Sequence, residues 1–154
     1  MSNQMPPPQG GDLPVHARER LSIMRGDATH RGLFTSDLSV NEFLLVREAG
    51  FDPIGLVVGS SIYHIGFQFS NWKQNMEVNV LTQAIYDARE LAMERMQAEA
   101  ASLGAQGIVG VNIVEDSRDW GSHVIEFFAV GTAIIPISAE HQIQQPALTL
   151  SLNS

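Results

Sequence analysis

Ser102-Leu103-Gly104-Ala105-Gln106-Gly107-Ile108-Val109-Gly110-Val111 is where the chain changes its hydrophobic period, and the two sides of that change decide the fold. Upstream, Asn79 to Leu103 is rich in Ala, Leu, Met, Glu and Arg and contains no Gly or Pro, so it reads as a long helix stopped by Gly104. Leu81, Ile85, Ala88, Ala92 and Met96 recur at three- and four-residue spacing and make one apolar face. Arg95 and Glu99 fall on that same face, one turn apart. The C-terminal half of the helix must therefore meet something polar: an ion pair between subunits that sets their register, or a carboxylate held for a ligand. Downstream, Gly107 to Glu115 and His123 to Pro136 alternate with period two and are joined by Asp116-Ser117-Arg118-Asp119-Trp120-Gly121, which predicts an antiparallel hairpin. Gly107, Gly110, Ala129, Gly131 and Ala133 leave little side-chain volume there, the mark of close approach by a packed element or by another subunit. Arg95, Glu99, Gly110 and Gly131 are the candidate oligomer-interface residues.

Further upstream, Ile54-Gly55-Leu56-Val57-Val58-Gly59 is apolar on both faces, as a strand covered on both sides would be. Tyr63, Ile65, Phe67 and Phe69 then alternate with Ile62, His64, Gly66 and Gln68, so the strand is expected to continue with one wetter face. Ser39-Val40-Asn41-Glu42 has the form of a capping box opening a helix from Val40 to Ala49, which Gly50 stops. Leu33-Phe34-Thr35 is expected as a short strand before it. The order strand, long helix, strand, strand defines an α+β class fold of two layers, one long helix on a small antiparallel sheet. One helix leaves the other sheet face bare, and a second subunit is the expected cover.

The 154 residues are 44% hydrophobic, enough for one domain with a real core, and intrinsic disorder of the whole chain is excluded. Seventeen acidic groups against nine basic ones give a net charge of −8, with Lys73 the only lysine. No basic stripe exists to neutralise phosphates or anionic lipid, so neither nucleic acid nor a membrane is an expected partner. The absence of cysteine removes disulfides, thiolate nucleophiles and sulfur-ligated metal. Met1 to Pro14 lacks the pattern of a secretory signal, which makes a cytoplasmic location the expectation. Pro53 to Trp72 is free of charge but broken by Gly, Ser, His, Gln and Asn, and reads as buried strand. Charge and proline set off residues 1–32 as a mobile N-terminal arm, with a short helix from Val15 to Met24 ended by Gly26. The triple proline Pro6-Pro7-Pro8 is a candidate ligand for a protein partner. Residues 33–137 form the domain, and 138–154 a polar C-terminal tail with alternating Leu148, Leu150 and Leu152.

Leu33-Phe34-Thr35-Ser36, Gly55-Leu56-Val57-Val58-Gly59, the long helix ending Ser102-Leu103-Gly104-Ala105, Gly107-Ile108-Val109-Gly110-Val111 and Ala129-Val130-Gly131-Thr132-Ala133 together resemble the YbjQ-like family, a heavy-metal-binding family by its description. The resemblance covers residues 33–136 and implies a dodecin-like β-α-β-β subunit that assembles into a ring, typically a homopentamer. Where family members usually carry a basic stretch and a Gly-Gly-Arg turn, Tyr63 to Asn79 has only Lys73 and adds Tyr63, Phe67, Phe69 and Trp72.

Candidate metal ligands are His64, His123 and Glu126, for a divalent ion of unspecified identity. In a strand His123 and Glu126, three apart, point to opposite faces, so one subunit cannot close them on one ion. His64, on the wetter face beside Gln68, would meet its own copies in a ring. Glu115, Asp116 and Asp119 gather carboxylates near the hairpin turn without the calcium-loop spacing. No nucleophile elbow, phosphate loop, dinucleotide fingerprint or zinc-protease motif is present, and no acid, base and nucleophile stand at catalytic spacing, so no enzyme activity is expected. The sequence reads as a ring-forming binding or scaffold protein; the alternative is a metal-ion or small-molecule binder using residues repeated around the ring.

Overall fold

The computed structural model describes residues 13–65, 74–119 and 123–138. The chain runs α1 (Val15–Arg25), α2 (Val40–Glu48), β1 (Phe51–Ile65), α3 (Gln74–Ser102), β2 (Gly107–Asp119) and β3 (His123–Pro136). This is the α+β arrangement expected, with β-α-β-β order and one long helix against three antiparallel strands. In the sheet β3 is central, in the order β1-β3-β2. β2 and β3 make the expected hairpin, and β1 pairs with β3 along its whole length, from Phe51 opposite Pro136 to Ile65 opposite His123.

Packing follows the sequence pattern. Val57 and Ser61 on β1, and Ile125, Phe127, Ala129 and Ala133 on β3, face α3 and are buried. Ala88, Ala92, Met96 and Ala100 meet them from the helix, and Met96 is the largest fully buried side chain. The small residues let α3 lie close: a Cβ on Gly59 would fall 2.1 Å from the Ala92 carbonyl oxygen and 2.5 Å from the Met96 nitrogen. Ser61 resolves its burial by donating to the Ala88 carbonyl.

The other sheet face is covered over only part of its length. Thr132, fully buried there, shares a hydrogen bond at 3.0 Å with the Ser36 hydroxyl and accepts from the Asp37 amide at 3.1 Å. α2 lies beside these contacts and packs on β1. The strand expected at Leu33–Thr35 is absent, because this segment binds the sheet through Ser36 and Asp37 instead of a ladder. Phe34 meanwhile sets its ring edge-on to Phe43 of α2, with centroids 5.7 Å apart.

At its N-terminus α2 has the predicted capping box, with Ser39 and Glu42 bonding each other's backbone. Hydrogen bonds from the Ser39 hydroxyl, then from the Ser39 amide, hold the Glu42 carboxyl below its ordinary pKa of 4.5. A depressed folded-state pKa stabilises fully above the ordinary value, and that contribution is lost as pH falls through the lowered one. Glu42 should therefore titrate at lower pH than in a Ser39→Ala variant, followed through side-chain carboxyl NMR shifts; equal midpoints would show that the box is unformed in solution.

α1 matches the helix expected over Val15–Met24 and ends at Gly26, whose φ is +71°. It lies against the body of the domain: Leu13 and Leu21 pack with Ala98, and Met24 sits over Gly55. No helix among the described residues is long and apolar enough to cross a membrane.

Candidate functional site

Arg95 and Glu99, the polar pair on the apolar face of α3, do not bond each other. Both reach the free edge of β1, the side away from β3. Along one side of a strand the backbone presents its groups every second residue, so Leu56, Val58 and Ser60 share that edge. The Glu99 carboxylate, only 3% exposed, accepts the Val58 amide at 2.8 Å. Arg20 of α1 pairs with that carboxylate and donates to the Leu56 carbonyl at 3.1 Å. Arg95 donates to the Ser60 carbonyl. Three charged side chains thus stand where a fourth strand would lie. This is the polar counterpart that the helix pattern required, and an edge closed in this way resists pairing with other chains.

The remaining candidate interface positions are elsewhere. Gly110 adopts φ +64° within a bulge, where the β2–β3 register shifts between Val109 and Asn112. Gly131 is buried, and a Cβ on it would come within 2.6 Å of Ile108.

The candidate metal ligands lie on the distal sheet. His64 is exposed and opposite Val124, while Glu126 stands between Ile62 and Asp116. Alternation puts His64, Glu126 and Asp116 on the face away from α3, with His64 diagonal to Glu126. The backbone of His123 pairs with Ile65 and Asp119, and its side chain lies outside the described residues. Among the described residues no three His, Cys, Asp or Glu side chains are placed to hold a metal ion. A single subunit's described donors therefore do not fit a closed metal centre.

Apolar surface dominates the same distal face. Phe128 and Val114 are direct cross-strand partners, 41% and 47% exposed, and Ile62, diagonal to Phe128, is 60% exposed. Leu33, Val40, Leu44 and Leu45 add exposed apolar groups on and before α2, which buries no residue at all. The sequence pattern marks the bare sheet face but not α2, whose nine residues carry too weak an apolar stripe to point either way.

The YbjQ family model, whose description reads putative heavy-metal-binding, matches residues 54–136. A Mycobacterium tuberculosis protein named as an encapsulin nanocompartment protein is 52% identical over 126 residues, 82% of this chain and 46% of that protein. The chain therefore spans about half the length of that relative. A UPF0145 protein of Clostridium perfringens is 38% identical over 86 residues, 53% of this chain and 79% of that protein. One from Thermoplasma acidophilum is 36% identical over 73 residues, 47% of this chain and 60% of its own. Because 154 less 126 leaves 28, the stretch shared with the mycobacterial protein begins no later than residue 29. It includes α2, which the family model leaves out.

Proposed function

Since the chain belongs to the YbjQ (UPF0145) family, we propose that it is a self-assembling binding module without catalytic turnover, whose copies close into a ring. The observation that carries this reading is the apolar strip of Ile62, Val114 and Phe128 across all three strands, with Leu33, Leu44 and Leu45 on and before α2 also exposed. A monomer leaves such a surface in water at a cost, and a facing protein surface removes it. The net charge of −8 keeps the copies soluble while they associate. A homopentamer in the cytoplasm is the form the family resemblance favours. The encapsulin name of the mycobacterial relative supports association with a larger protein assembly, for which the triple proline Pro6-Pro7-Pro8 is the candidate contact.

Native mass spectrometry tests the reading. The wild-type chain should appear as a discrete oligomer, and Phe128→Asp, which places a charge on an already exposed site, should weaken its assembly by about tenfold or more while the circular dichroism spectrum is retained. A wild-type monomer at every concentration would refute assembly. A stoichiometric metal on the wild-type oligomer, lost in His64→Ala, would favour the metal-binding alternative, with His64 and Glu126 of several copies completing the donor set that one copy lacks.

A further inference from the structure

The two edges of the sheet are unequal. β1 is closed on its outer side by Arg20, Glu99 and Arg95, which take up the Leu56 and Ser60 carbonyls and the Val58 amide. β2, at the other edge, is 13 residues long and has no second neighbour among the described residues. Half of its backbone groups point away from β3. A long open edge of this kind is a template for pairing, which proteins cover, charge or break.

β2 is also incompletely covered on the side that faces α3, because the helix lies mainly over β1 and β3. Ile108 and Val111 stand together on that side, where a Cβ added to Gly131 would meet them at 2.6 and 3.3 Å. Val111 is 43% exposed, and Ile113, beyond the bulge, is half-buried. A neighbour for this edge therefore needs backbone to pair with β2 and apolar side chains along one face, to lie beside Val111 and Ile113.

Residues 139–154 lie outside the described residues, and their sequence has that form. Ala147-Leu148-Thr149-Leu150-Ser151-Leu152-Asn153 alternates strictly, with the three leucines on one face and Thr149, Ser151 and Asn153 on the other. The chain also leaves the sheet at a suitable place. Ile134 is opposite Gly107, so β3 ends where β2 begins, and the Ile137 amide fixes the exit by donating to the Gly50 carbonyl at 2.8 Å. From Ser138 to Leu148 is ten residues, up to about 33 Å of extended chain. The line outside β2 is two strand spacings from β3, about 10 Å, and Val111 is about 13 Å along β2 from Gly107. Both distances are well inside that reach.

We propose that residues 147–153 add to the free edge of β2 as a fourth strand of the same copy, with Leu148, Leu150 and Leu152 on the α3 side beside Val111 and Ile113. A chain returning from the end of β3 runs antiparallel to β3 and so parallel to β2. The short tether holds the segment at an effective concentration on the order of millimolar, which favours a copy's own tail over a neighbour's. Sheet extension between copies is then closed at both edges, and association is left to the distal face.

Amide exchange with deuterium in the full chain, read on peptides of β2, tests the added strand. Leu150→Pro cannot hold a ladder through that position, so the amides of residues 111–115 should exchange at least about tenfold faster than in wild type. Leu150→Val keeps the strand pattern and should stay within about twofold of wild type. Peptides of β1, whose Val58 amide is bonded to Glu99, should be alike in all three proteins. If Leu150→Pro does not fold, Leu148→Asp, which sets a charge beside Val111 and Ile113, takes its place with the same expected result. Exchange of β2 that is equal in wild type and in the disrupted variant overturns the proposal. Protection that fades as the wild type is diluted assigns the strand to a second copy's tail and overturns its placement in the same copy.

Discussion

Gly59→Ala is expected to destabilise the domain by about 3 kcal/mol or more, at or beyond the upper end for overpacking, and to lower the melting temperature by roughly 10 °C. The added methyl carbon would stand 2.1 Å from the Ala92 carbonyl oxygen and 2.5 Å from the Met96 nitrogen, and both are backbone atoms of α3. A flexible side chain in that place could rotate away. A helix backbone can only move as a body, and Met96, Ala92 and Ala100 would move with it out of the close fit they make with Val57, Phe127 and Ala129. Thermal unfolding followed by circular dichroism measures the loss. Gly104→Ala is a useful contrast: no atom lies within 4 Å of its added carbon, but its φ of +77° is one a side chain resists, so the smaller cost there is conformational. A Gly59→Ala protein melting within 2 or so degrees of wild type, about the effect of half a kcal/mol, would mean that α3 does not lie this close to β1.

The second large effect is at Glu99. Glu99→Ala removes the acceptor of the Val58 amide and the partner of Arg20 together, and leaves a cavity at a position that is 3% exposed. An orphaned buried donor and a lost charge-assisted bond together cost on the order of 2–3 kcal/mol. The ion-pair share is kept at the low end because the Arg20 side chain is 36% open to water. Glu99→Gln retains an amide oxygen for Val58 and should recover roughly half of the loss, since the hydrogen bond survives and the charge does not. Urea denaturation of the three proteins separates the outcomes. Equal losses in Gln and Ala would mean that the stabilisation is all ionic, with no role for the bond to β1.

The elements that repeat a short pattern were legible in the sequence. The Ser39 to Glu42 box, the apolar stripe of α3 and the alternation of β2 and β3 each depend on residues a few positions apart, and each appears at its expected place. α3 begins at Gln74, five residues before Asn79, because a helix start is marked by its cap and not by the stripe. Leu33–Thr35 failed as a strand since its apolar residues alone say nothing of whether a ladder neighbour is free. Arg95 and Glu99 are legible as misplaced on an apolar face, and the need for a polar counterpart follows from them alone. That the counterpart would be the edge of β1, completed by Arg20 from 79 residues away, was beyond any periodic reading. Main-chain groups at a sheet edge have no residue code, and only the strand order shows which edge is left without a partner.

The bulge at Gly110 makes the count of residues in β2 as consequential as their chemistry. Ile108 lies opposite Ala133 on the α3 side, yet beyond the bulge it is Ile113, opposite Ala129, that lies there. The inward phase has passed from even positions to odd. Were the ladder regular through these same residues, Asn112 would stand opposite Ala129 and Val114 opposite Phe127, which would carry Asn112, Val114 and Asp116 beneath the helix and send Ile113, Glu115 and Ser117 to the outside. The bulge absorbs the one surplus residue, so Asn112 returns to Val130 and Val114 to Phe128. A variant lacking residue 110 or 111 would pair regularly and keep the same outer surface, whereas one that kept its length and lost the bulge would not. The bulge here works as a correction of reading frame for the distal strand.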